Sequence, residues 1–237
     1  MKQRLGSILS AAAVTLLTAS FAALSATACL HGLAPKSDPR KNELIIEDLS
    51  LYSTSACRLH HRYECYADRA SADGNHTAAG LFSALARSER IHANACARAA
   101  SLLKGECRQA TDDNFEITDT RGNLHRSLDD ERSRFALWQG SAVGRAIDAG
   151  NYYTARILIW IDGTNRRHIE LLEHCIQLAE RNENCGGCEY NVCPVCGNVY
   201  EAGSCDAYCP LCRTHHSEFE SFGRLQVNKT VADGIDD

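Results

Sequence analysis

The chain has no excess of basic charge. Its 25 lysines and arginines are outnumbered by 30 aspartates and glutamates, for a formal net charge of -5. The two signs are interspersed, so the basic stripe that tracks a phosphate backbone is missing and nucleic acid is not an expected partner. Past the first 28 residues there is no apolar run long enough to cross a bilayer. There is no twin-arginine pair near the N-terminus, no partner motif, and no sign of a substrate pocket. The chain does have apolar material: 237 residues at 44% hydrophobic and 23% charged can bury one good-sized core and a small satellite, which excludes a disordered protein. It also has thirteen cysteines, too many to be incidental.

Residues 1–28 place Lys2 and Arg4 ahead of 24 uncharged residues that close on Ala26-Thr27-Ala28, just before Cys29. This is the pattern of a secretory signal. Three outcomes stay open: cleavage at the small residues, lipidation of Cys29 as in bacterial lipoproteins, and retention as an uncleaved anchor. Ala26 stands where a lipobox usually has a larger aliphatic residue. All three outcomes put the body outside the cytoplasm, in the bacterial periplasm or on a membrane as a lipoprotein. Without twin arginines, export implies an unfolded chain that takes up metal afterwards.

Residues 29–42 carry Pro35 and Pro39 without apolar periodicity and read as a linker. A helical pattern runs over 43–72 and closes at Asp73-Gly74. A second, 77–103, repeats apolar residues at Leu81, Leu85, Ile91 and Ala95. The polar segment 104–121 is long enough to cross from one end of a bundle to the other. Two more helices are predicted over 123–149 and 152–182, parted by Gly150-Asn151. Four helices with one long middle connection is a ferritin-like topology. After Glu183 the composition turns to Cys, Gly, Pro, Tyr and Val, marking a small second domain over 183–222 and a tail over 223–237. The fold class is thus mainly α, a four-helix bundle followed by a small β and knuckle domain.

Cys193-Pro-Val-Cys196-Gly197 and Cys209-Pro-Leu-Cys212 are two CxxC knuckles with 12 residues between them. Each lets two thiolates reach one tetrahedral metal, and a domain this short needs such a staple to fold. Soft thiolates select iron or zinc, and spacing does not separate the two. On the second helix, Glu89 and His92 lie three apart on one face, where both can ligate an inward metal.

The run from Val192 through Tyr200-Glu201, continued by Cys209 to Cys212 and Ser217-Glu218-Phe219, resembles the rubredoxin-like tail of rubrerythrins. The stretch from Leu81 to Ala93, around Glu89 and His92, resembles their second helix, and the likeness extends over most of 56–168. The resemblance implies an Fe(Cys)4 centre, a di-iron site in the bundle, peroxide reduction there, and often a homodimer. Arg213 departs from the glycine common in the second knuckle. Position by position, the family's bundle ligands Glu89, His92, Glu131 and His168 survive. Three glutamate positions fall on Ala56, Arg134 and Asn165. These losses raise the local charge by about four units, which opposes two divalent irons held close together. A di-iron centre is therefore not expected. Two alternatives stay open: a single metal on Glu89, His92, Glu131 and His168, or those residues paired as buried salt bridges with Arg134 as counter-ion.

Outside the module and Cys29, eight cysteines remain: Cys57, Cys65, Cys96, Cys107, Cys175, Cys185, Cys188 and Cys205. An even count in an exported chain favours disulfides. A hairpin about residue 75 brings Cys57 opposite the region of residue 93, which makes Cys57 with Cys96 an expected bridge. Cys185-Gly-Gly-Cys188 could form a second metal half-site, a thiol pair for exchange or a local disulfide; it lacks the strand-to-helix setting of a thioredoxin site, which favours the structural disulfide. Two functions compete. One is a cell-envelope redox protein that passes single electrons through Fe(Cys)4 to an unidentified redox partner, with residual peroxide reduction. The other is a non-catalytic structural or interaction protein with zinc in the module and an inactive bundle.

Overall fold

A computed structural model describes residues 39–108, 114–138, 140–181 and 189–223. The leader, Cys29, most of the linker, and Cys185 with Cys188 lie outside the described residues. Helix α1 (Pro39–Ala72) starts inside the segment read as a linker, with proline at its first position, where the missing N–H has no intrahelical partner to lose. Asp73 and Gly74, the latter at φ +74°, turn the chain into α2 (His76–Leu102), whose N-cap Asn75 accepts a hydrogen bond from the Ala78 amide.

The third helical pattern is broken in two. Helix α3 (Thr120–Trp138) and helix α4 (Ser141–Asp148) are separated at Gly140, which takes the left-handed conformation at φ +72°. Helix α5 (Tyr152–Glu180) begins behind its own N-cap, Asn151. α1 packs chiefly along α2, and α3 chiefly along α5, with α4 closing one end against α5 and α1. The result is mainly α, a ferritin-like bundle. Among the described residues, no helix is long and apolar enough to cross a membrane.

The C-terminal segment forms a three-stranded antiparallel sheet in the order β2-β1-β3: β1 Tyr190–Val192, β2 Val199–Glu201 and β3 Glu220–Phe222. It does not stand apart from the helices. Tyr190, Val192 and Val199 belong to the same apolar cluster as Tyr63, Phe82, Leu85, Leu124 and Leu172. A second apolar cluster, around Ile45, Leu49, Cys96, Leu158 and Ile161, fills the other end of the bundle. Between the two clusters the interior is polar, and the candidate bundle site lies there.

Candidate metal centre and the polar bundle core

In the module, Cys193 and Cys196 follow β1, while Cys209 and Cys212 form the second knuckle. The Cys193 and Cys212 sulfurs are 3.4 Å apart, those of Cys196 and Cys209 3.5 Å, and all four lie within 4.8 Å of one another. A tetrahedral metal with bonds of about 2.3 Å requires sulfurs about 3.8 Å apart, so the four residues fit one ion. The backbone is shaped for it. Gly197 sits at φ +81° and Arg213 at φ +67°, the two left-handed positions that close the knuckles. Arg213 thus adopts the glycine conformation its neighbours in sequence demand, with its guanidinium over the Tyr208 ring at 5.5 Å. Two hydroxyls reach the sulfurs: Tyr200 donates to Cys209 Sγ at 3.1 Å, and Thr214 Oγ1 lies 3.1 Å from Cys212 Sγ. Tyr200 is itself held by stacking on Phe219.

The module is docked on the bundle at the same point where the family's metal ligands stand. Gly197 permits this: a Cβ there would lie 2.7 Å from His92 Nε2 and 3.0 Å from Ser88 Oγ. The His92 Nε2–H donates to the Cys196 carbonyl at 3.1 Å, and the Ser88 hydroxyl donates to the Gly197 carbonyl at 2.6 Å. Around this point Trp160 Nε1 donates to the Leu211 carbonyl, and Arg87 makes a bidentate pair with Glu220 at 2.6 Å on both arms.

Beneath the module, Glu89, Glu131 and His168 are wholly buried, and their ligand atoms lie within 4.8 Å of one another. Arg134 reaches between them. Its Nη2 donates to Glu89 Oε1 at 2.7 Å, to Glu131 Oε2 at 2.6 Å and to Asn165 Oδ1 at 2.8 Å, and its Nη1 reaches Glu89 Oε2 at 3.2 Å. Tyr63 donates to the other Glu131 oxygen at 2.8 Å. Asn165, at the position of one missing carboxylate, serves as an acceptor for Arg134. Ala56, at another, is buried and offers no ligand.

His168 completes the charge balance. Its Nδ1 faces Glu131 Oε1 at 3.2 Å and its Nε2 faces Ser88 Oγ at 3.0 Å. The carboxylate can only accept, and the Ser88 proton is engaged with Gly197, so both ring nitrogens must donate, which makes the ring an imidazolium. In the same direction, burial lowers the His168 pKa but the bonds to Glu131 and Glu89 outweigh it and raise it. Burial alone would raise Glu89 and Glu131, yet the Arg134 charge reverses this and both are lowered. Two carboxylates, one guanidinium and one imidazolium sum to zero, leaving no negative charge for a pair of divalent ions. These residues do not fit a di-iron centre.

The remaining expected site residues divide in two. His92 is beside the cluster but turned to the module, with Nδ1 3.4 Å from Glu89. Cys57 and Cys96 are both free thiols, as are all ten cysteines of the described residues. Cys96 is fully buried while Cys57 is exposed, and no disulfide joins them in this structure. Sequence reading missed the docking residues Ser88, Gly197 and Trp160. Only Gly197 carried a local signal, as the glycine that follows the first knuckle.

A family model for rubrerythrin matches residues 54–173, half of the chain. Among solved structures, nigerythrin in its mixed-valence and fully reduced, all-ferrous states superposes with TM-scores of 0.66 and 0.67 at 18% identity, covering 75% of this chain and 86% of that one. The Desulfovibrio desulfuricans bacterioferritin superposes at 0.54 and 17% identity, covering 62% of this chain and 86% of that one. At such identities these likenesses show the fold alone. No curated protein sequence matches. The family match, together with the bundle and the knuckled sheet of the C-terminal segment, shows that this chain belongs to the rubrerythrin family, whose members are iron-binding redox proteins.

Proposed function

We propose that this protein transfers single electrons at an iron held by Cys193, Cys196, Cys209 and Cys212, and that its bundle carries no metal, Arg134 and protonated His168 supplying the positive charge that balances Glu89 and Glu131. The observation that carries this reading is the pair of Arg134 ion contacts to Glu89 and Glu131 directly under an intact four-sulfur site. Bound iron supplies a one-electron couple; the chain's part is to hold four thiolates, keep water off three buried cysteines, and set the potential through hydrogen bonds to sulfur. Cys212 is the least buried of the four, and the exposed Val195 lies in the same module, so an external redox partner meets the centre from that side.

The leader sequence supports a location in the cell envelope, where such a carrier would serve a periplasmic or membrane-bound partner. Residual peroxide reduction would need a reactive centre in the bundle. The test is stopped-flow mixing of reduced protein with hydrogen peroxide, comparing the parent with Glu89→Gln. Equal and slow oxidation of both supports a carrier, whereas fast oxidation abolished by Glu89→Gln would establish the peroxidase. Zinc in place of iron at the four sulfurs would leave the structural reading.

A further inference from the structure

The outer face of α5 beside the second knuckle belongs neither to the bundle core nor to the metal ligands. Tyr152, Arg156, Ile159, Gly163 and Arg166 recur at three- and four-residue spacing, so they form one stripe along the helix. Tyr152 is 71% exposed and Ile159 49%, large apolar side chains left in water. The module meets this stripe at Gly163, where a Cβ would touch the Leu211 methyls at 3.4 and 3.5 Å. Trp160, one turn beyond Arg156, donates its Nε1–H to the Leu211 carbonyl at 2.9 Å and packs against the cluster that holds Cys193, Cys196 and Cys209. Cys212, the least buried ligand, follows Leu211 directly, so the stripe borders the open edge of the metal site.

The charge on this face is mainly of one sign. From Tyr152 to Arg166 the charged residues are Arg156, Asp162 and Arg166. Asp162 accepts a hydrogen bond from the buried Tyr52 hydroxyl at 3.2 Å, which draws its carboxylate toward the core. Arg156 lies over two rings, Trp160 at 5.3 Å and Tyr153 at 5.7 Å, and Arg166 lies over Phe135 at 5.0 Å. Among the described residues neither arginine makes an ion pair. The second knuckle adds Arg213 as its one charged residue. All this is set on a chain whose net charge is -5. Arginine and aromatic side chains are enriched at the centres of protein interfaces, and a guanidinium stacked on a ring stays ordered while keeping its charge for a partner. A ferrous ion among four thiolates is negative, so a carrier that approaches with carboxylates is repelled unless cations flank its approach.

We propose that this face docks a one-electron carrier protein with an acidic surface, Arg156 and Arg166 pairing with its carboxylates and Ile159 and Trp160 meeting its apolar centre. The proposal rests on the reading of the module as an iron electron-transfer site. The step exchanges one electron: the reduced member of the pair loses it, the oxidised member gains it, and no bond or proton moves. A partner seated here touches Leu211, the residue next to a sulfur ligand, and a patch of this size suits a transient encounter.

Two inorganic probes test it. Hexacyanochromate(III), a redox-inert paramagnetic anion, is titrated into the zinc-loaded protein and its position mapped by NMR line broadening, a readout that needs no iron chemistry. Broadening centred on Arg156, the Trp160 indole N–H and Leu211 is expected, lost in Arg156→Glu and kept in Arg98→Glu, which makes the same charge change at an exposed position of α2. Ferricyanide and the cationic tris(phenanthroline)cobalt(III) then each oxidise the reduced iron-loaded protein in stopped flow. The ferricyanide rate is expected to fall as salt is added, opposite to what the net charge dictates, and to be several-fold lower in Arg156→Glu than in Arg98→Glu. A ferricyanide rate that rises with salt, or broadening centred on another face, would overturn the docking face and leave the redox reading standing. No oxidation by either complex would overturn both. Binding to anionic phospholipid vesicles that Arg156→Glu abolishes would assign the face to a membrane, and a dimer that Arg156→Glu dissociates would assign it to a second copy; either overturns the proposal. The broadening map of the parent protein decides even where a variant fails to fold.

Discussion

Arg134 stands 6% exposed between two carboxylates that are not exposed at all. A charge taken out of water persists only when it is paired, and removing one partner of a buried pair strands the other. Arg134→Leu leaves Glu89 and Glu131 facing each other with His168 as their only cation. We expect a loss of about 3–5 kcal/mol in denaturant unfolding. A loss within experimental error would show that the guanidinium is incidental. The pH dependence has two limbs. Glu89 and Glu131 are lowered below the ordinary 4.5, so their contribution is complete above pH 4.5 and is lost as pH falls through the lowered values. His168 is raised above 6.5, so its contribution is complete below pH 6.5 and is lost as pH rises through the raised value. The cluster is at full strength between those limits. Melting temperatures taken across pH should show a shallower acid limb in Glu89→Gln than in the parent; identical acid limbs would sink the assignment.

The second knuckle holds a left-handed arginine, since a non-glycine residue there costs of order 1 kcal/mol or more. Arg213→Gly relieves that strain and gives up only the stacking on Tyr208. A gain of about 1 kcal/mol in the metal-loaded protein is expected, read as a higher unfolding midpoint; a loss would mean that the stacking outweighs the strain. The elements also show what local pattern can and cannot reveal. The knuckles were legible because both thiolates of each pair lie within four residues. Helices α1, α2 and α5 were legible because their apolar period runs unbroken to an asparagine cap or a Gly74-type turn. The break between α3 and α4 was not, because apolar positions continue on both sides of Gly140 and only the backbone conformation changes. The loss of the bundle's carboxylates could be read from Ala56, Arg134 and Asn165, but not how the survivors pair. Contacts such as Ser88 to Gly197 and Ser50 to Arg108 join residues 109 and 58 apart, and no local periodicity records them.

As a whole, the molecule shares one apolar cluster between sheet and bundle, since Tyr190, Val192 and Val199 pack with Tyr63 and Phe82. Metal binding at the knuckles therefore holds part of the bundle core in place and is linked to its stability. Removing the metal with a chelator should lower the temperature at which helical circular dichroism is lost, and in the loaded protein the thiolate-to-metal absorption and the helical signal should disappear in one transition. Helix melting indifferent to the chelator would mean that the module is a separate domain. Metal content per chain reads most directly whether one metal is held in the sulfur module while the bundle's cations are Arg134 and His168. Elemental analysis with an absorption spectrum on protein exported by its host should find one iron per chain with thiolate-to-iron bands, unchanged in Glu89→Gln. About three irons, two of them lost in Glu89→Gln, would contradict it.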